Sequence, residues 1–134
     1  MRTLQGHKIN PANYDLEIWV TDQPGAGGAN HRYEITGFDT RSNPSSLDEQ
    51  GYQTAYSRLV LLFQNGPIGE VGVNGITHEA LLAILIDRLE AFQAGPYANP
   101  YNAAALDHLR AAQMALHDRT RERMSRGVEG THLA

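Results

Sequence analysis

The chemistry in this sequence is concentrated in its second half. Phe92 and Asn102 stand ten residues apart, Arg119 and Arg123 four apart, and Thr131 follows near the end. A phenyl ring offers a flat apolar face, and a carboxamide reads a molecular edge with one donor and one acceptor group. A guanidinium stacks on a ring or forks onto a phosphate. Together these groups suit a purine nucleotide. Each also has an ordinary structural explanation: Phe92 as core, Asn102 as a helix-start residue, and the arginines as cations near a helix C-terminus.

Other chemistries lack their parts. His78-Glu79 opens like a zinc-protease motif, but Leu82 stands where the second histidine belongs. Gly25-Ala26-Gly27-Gly28 is followed by a strand pattern, so it offers no helix N-terminus to a phosphate. The six histidines show no tight ligand spacing, and with no cysteine there is neither thiol catalysis nor a zinc–thiolate site. No cofactor and no metal is expected. Asp118 and Glu122 alternate with Arg119, Arg121 and Arg123, which reads as an ion-pair lattice rather than a catalytic carboxylate pair.

The elements that must position these groups are legible from periodicity. Tyr14, Leu16, Ile18 and Val20 alternate with Asp15, Glu17, Trp19 and Thr21, predicting a strand over 14–21. QPGAGGAN (23–30) is a turn, and RYEITGF (32–38) is a second alternating run. Residues 40–53 read as a loop around Asn43-Pro44-Ser45-Ser46. RLVLLFQ (58–64) is almost continuously apolar, which predicts a central strand. Thr77 then caps a helix over 78–93, Gly95-Pro96 ends it, and a second helix runs from Pro100 to Arg126. The short linker 94–99 makes the two an antiparallel hairpin. Leu81 to Ile86 is apolar around the whole circumference, so the helix either is sandwiched between sheet and partner helix or meets another chain.

The expected fold is therefore α+β: a small N-terminal antiparallel sheet followed by a two-helix hairpin, in an oligomer. One domain spans 1–134, with a β-rich part (1–75), the hairpin (76–126) and a tail (127–134). A length of 134 residues, 41% of them apolar and 19% charged, suits one such globular domain. No apolar run approaches a membrane span, and the N-terminal residues do not read as a signal peptide. The lack of cysteine fits a reducing cytoplasm. The net charge of −4 argues against DNA or RNA as partner. It is uneven: five arginines against three acids make 107–126 net +2 and leave −6 for the rest.

FQNGPIGEVGVNGITHEALLAILIDRLEAFQAGPYAN (63–99), AAALDHLRAAQMALHDRTRER (103–123) and RGVEGTH (126–132) resemble the phage Thoeris anti-defence sponges, whose helical hairpin is shared with the anti-CBASS cyclic-dinucleotide sponges. GANHRYEITGF (28–38) resembles the β part of the Thoeris branch, while 1–27 and the loop 39–57 match less clearly. The resemblance implies a non-enzymatic protein of the infected bacterial cytoplasm that sequesters cyclic ADP-ribose isomers. It extends to relatives that hold cyclic di- or trinucleotides in separate pockets. It implies a homo-oligomer built from dimers, often a hexamer. The family's adenine-binding aromatic and amide fall on Phe92 and Asn102, and its arginine pair on Arg119 and Arg123.

Spacing adds a constraint. Asn102, Leu109, Leu116 and Arg123 are each seven apart and lie on nearly one stripe. Asn102 and Arg119 are separated by about 25 Å, and Asn102 and Arg123 by about 31 Å, along a straight helix. A cyclic ADP-ribose is only about 10 Å across, taking contacts of 3–4 Å. The expected pocket is thus shared between antiparallel chains, with Thr131 on a tail that serves either as lid or as strap. Two rival readings stay open: an enzyme that cleaves the cyclic nucleotide with His117 and Asp118, and an oligomerisation module that binds no ligand.

Overall fold

A computed structural model describes residues 1–53 and 57–134. The chain forms two compact units, Met1–Asn65 and Gly66–Ala134. The expected α+β order holds: a four-stranded antiparallel sheet, then two long contacting helices.

In the first unit the strands β1 (Arg2–Leu4), β2 (Glu17–Val20), β3 (Arg32–Thr36) and β4 (Arg58–Leu62) lie side by side in chain order. Val20, only 1% exposed, pairs with Tyr33, whose ring meets Phe63 edge-on at a centroid distance of 5.6 Å. Glu34 on β3 is bracketed by Arg32 and Arg58. The Arg58 hydrogen bond, reinforced by Arg32, holds its carboxyl below the usual glutamate range despite the opposing cost of desolvation.

Two expectations for this unit need correction, and one strand was not foreseen. The strand expected over 14–21 begins only at Glu17, because Pro11–Asp15 forms a short helix, α1. Asn10 caps it by accepting a hydrogen bond from the Asn13 N–H at 3.0 Å, and Pro11 opens it with φ already set. This local cap outweighs an alternation that starts inside the helix. Among the described residues the strand expected at the centre of the sheet, β4, lies at its edge and pairs with β3 alone. Its apolar run does not report double-sided burial: Leu59, Val60 and Leu62 are 47%, 39% and 52% exposed. Strand β1, too short for a period-two signal, was not expected at all. Within the loop 39–57, residues 54–56 lie outside the described residues.

In the second unit a one-turn helix, α2 (Ile68–Val71), precedes α3 (His78–Gln93) and α4 (Pro100–Ser125). Thr77 accepts from the Ala80 N–H at 3.2 Å, and Asn99 accepts from the Asn102 N–H at 2.8 Å, so both long helices carry side-chain caps. Helix α4 runs 26 residues without interruption, about 39 Å. Only Ile86 and Leu106 are buried apolar residues of this unit, whereas Ile84 and Leu85 are 58% and 47% exposed. Half of the α3 apolar girdle, Ala83 to Leu85, is therefore exposed.

Gly37 ends β3 in the left-handed region (φ 91°), and a Cβ there would lie 1.7 Å from the Asp15 carbonyl oxygen. Gly37→Ala is expected to lose at least about 2 kcal/mol of stability, measured by urea denaturation; a loss under half that value would show that the α1 and β3 ends yield freely.

Candidate functional site

The hairpin seam sets where every candidate side chain points. On α4 the less exposed residues include Asn102, Leu106, Leu109, Gln113, Leu116, Thr120 and Arg123; on α3 they include Leu82, Ile86, Leu89 and Gln93. These recur at three- and four-residue steps, the spacing of two helices packed along one seam. The stripe joining Asn102 to Arg123 is thus the face that α4 turns to α3.

Residues advance by about 100° per step in a right-handed helix. In an antiparallel pair, the residue just before each seam position therefore turns to the same flank. That flank carries Leu85, Arg88 and Phe92 from α3, and Tyr101, His108 and Arg119 from α4, all exposed. Tyr101 and Arg119 are 18 residues apart, which is five turns, so they align along α4 about 27 Å apart.

At the hairpin tip, Phe92 is 42% exposed and the Arg88 guanidinium carbon lies 5.8 Å from its ring centroid. Asn102 is half-buried at the start of α4. Its backbone N–H is used by the Asn99 cap, but its carboxamide makes no hydrogen bond with any described residue. The tip is rigid around it: the Asn99 N–H donates to Gln93 Oε1 at 3.0 Å, and the Asn99 amide donates to the Tyr97 carbonyl at 3.0 Å.

At the far end of α4 the two arginines part company. Arg119 is exposed and makes no hydrogen bond or ion pair with any described residue. The acid one turn away, Glu122, is taken by Arg126, whose hydrogen bond, aided by the charges of Arg126, Arg123 and Arg119, holds that carboxyl below its usual range. Arg123 is instead 9% exposed and fully engaged. Its Nε donates to Glu129 at 3.1 Å, Nη1 to the Leu133 carbonyl at 2.7 Å, and Nη2 to the carbonyls of Val128 and Thr131 at 3.0 and 3.1 Å. Thr131 turns its hydroxyl to the Val128 carbonyl. The tail is thus a strap in this chain. Its Gly130 carbonyl accepts from the Gly69 N–H at 2.6 Å, and His132 meets Glu70 at 2.7 Å.

One chain therefore carries Phe92 and Asn102 at the tip of the hairpin and joins Arg123 to the Thr131 carbonyl at the other end. Sequence reasoning passed over Arg88 and Tyr101. The four-residue step from Arg88 to Phe92 and the adjacency of Tyr101 to Asn102 were the available signals. The cleavage pair has a competing partner, since Asp118 is bound to Arg121 at 2.9 Å. Among the described residues no cluster of His, Asp or Glu could hold a metal ion, and no helix is long and apolar enough to cross a membrane.

Fold and tip together define a class: an α+β chain with a four-stranded antiparallel sheet followed by a hairpin of two long helices. Residues 58–121 match the model of the Acb2/Tad1 hairpin domain. Over 70 residues the chain is 49% identical to the protein called Thoeris anti-defense 1 of Bacillus phage SBSphiJ7. The match spans 52% of this chain and 49% of that relative, about half the length of each.

The strap gives a test at a distance. Arg123→Ala is expected to raise hydrogen exchange at the Gly69 amide at least tenfold while amides in the middle of α4 keep their protection. Unchanged exchange at Gly69 would mean that Gly130 docks without the arginine.

Proposed function

We propose that this chain is an anti-defence sponge that binds cyclic ADP-ribose-type immune signals and holds them intact. The observation that carries this reading is the free binding chemistry of the hairpin: the exposed ring of Phe92, the unpaired carboxamide of Asn102 and the unpaired guanidinium of Arg119. It stands in a domain of Acb2/Tad1 type, and the similar phage protein is named for opposing Thoeris defence.

Ring and amide take the adenine, and the guanidinium takes the pyrophosphate. Capture calls for affinity in the ground state rather than selectivity for a transition state, so the site works without an acid–base pair. Stacking is worth about 1–3 kcal/mol and a charge-assisted hydrogen bond about 1.5–3 kcal/mol. Several together reach the roughly −8 kcal/mol of micromolar binding and pass it.

The pocket is assembled from two copies. Phe92 and Arg119 share one flank but sit at opposite ends of a straight rod. A second hairpin, laid flank to flank and running the other way, brings its Arg119 to the first chain's Phe92. The two-fold axis of this pairing crosses midway, at the level of Leu85, whose exposed side chain then packs against its own copy. Two equivalent pockets follow.

Two measurements test this. By calorimetry with cyclic ADP-ribose, Phe92→Ala and Arg119→Ala each weaken binding at least tenfold, and the ligand released after denaturation has the starting mass. Co-expressing the two variants restores tight sites, because each mixed dimer rebuilds one wild-type pocket. Random pairing gives about a quarter of the wild-type number. No recovery on mixing would place the whole pocket in a single chain. Independently, Leu85→Glu sets two like charges at the axis and is expected to dissociate the dimer in light scattering; a dimer that persists would move the interface elsewhere.

A further inference from the structure

We infer that Tyr101 is the second aromatic wall of the base site, so that the purine is held between two rings rather than on one. This deepens the reading above and rests on it.

Tyr101 is the second residue of α4 and is 87% exposed, and it makes no hydrogen bond, ring–ring contact or cation–π contact with any described residue. Phe92 is the second-last residue of α3. In an antiparallel hairpin these positions lie at the same height. Each immediately precedes a seam residue, Asn102 and Gln93, so both rings turn to the same flank. The axes of packed helices stand about 8–10 Å apart. A planar base touching one ring on each face at about 3.5–4 Å needs a gap of about 7–8 Å. The hairpin tip therefore spaces the two rings by the thickness of one heterocycle. Between them, at the base of the slot, sits the unpaired carboxamide of Asn102, placed to read the edge of whatever enters.

The surrounding groups agree with that assignment. Arg88 already lies over Phe92 on the side toward the middle of the hairpin, closing that ring's neighbourhood with a cation. The backbone carrying Tyr101 is fixed by Asn99, which caps α4, and by Pro100 in its first turn. Tyrosine contributes a large stacking area at the cost of ordering only two side-chain torsions.

The test measures affinity for cyclic ADP-ribose by calorimetry for the wild-type chain and for Tyr101→Ala, Tyr101→Phe, Tyr101→Leu and Phe92→Ala. Thermal melting of each variant confirms folding, and Tyr14→Ala, an exposed tyrosine of the other unit, serves as control. Tyr101→Ala and Tyr101→Leu should each lose at least tenfold, while Tyr101→Phe stays within threefold and Tyr14→Ala is unchanged. Wild-type affinity in Tyr101→Ala, with Phe92→Ala weakened, overturns the second wall and leaves the sponge reading standing. Equal losses in Tyr101→Phe and Tyr101→Ala overturn stacking in favour of the hydroxyl. A wild-type chain that takes up no cyclic ADP-ribose removes the sponge reading and this inference with it.

Discussion

The seam between α3 and α4 is the constraint on which the rest of the second unit depends. Ile86 and Leu106 are its buried centre, and half-buried residues continue it in both directions. Two apolar side chains are a slender core, since each contributes only about 1.5–3 kcal/mol on burial. What the seam provides is rotation. Once it is set, every other residue of both helices has a fixed bearing, and the outward flanks follow without further choice.

That bearing separates residues that sequence spacing groups together. Arg119 and Arg123 are one turn apart and look like a pair. The seam turns the first outward and the second inward, where four polar groups of the tail meet it. A nearly buried guanidinium must have its donors satisfied, and backbone carbonyls at a chain end are well placed to do so. Arg123 is therefore committed to architecture in the single chain, while Arg119 keeps its hydrogen-bonding capacity free. The same rule separates Asn102, at the seam with an unpaired amide, from Tyr101, its outward neighbour.

The sheet unit illustrates the opposite balance, in which short-range chemistry overrides pattern. The alternation from Tyr14 suggests a strand, yet Asn10 and Pro11 nucleate a helical turn through one capping bond and one fixed torsion. The apolar run at β4 suggests a buried strand, yet the sheet ends there. Periodicity reports which side chains could be covered. It carries no count of the strands or chains available to cover them.

By itself, the sequence determined the α+β order, both long helices with the Thr77 cap of the first, and the family resemblance that the hairpin domain match bears out. These are local properties: caps, breakers and a 3.6-residue period act within a turn or two of where they are written. It also singled out Phe92, Asn102, Arg119, Arg123 and Thr131 as residues of the right chemistry. Only the tertiary structure decided which of them stay free. It placed β4 at an edge, found β1, bound Arg123 and Thr131 into the strap, and left Phe92 and Tyr101 exposed. The reason is physical: whether a polar or aromatic group is available depends on what lies opposite it in space, and neither the seam's rotation nor the tail's landing place is encoded within reach of a single helical turn.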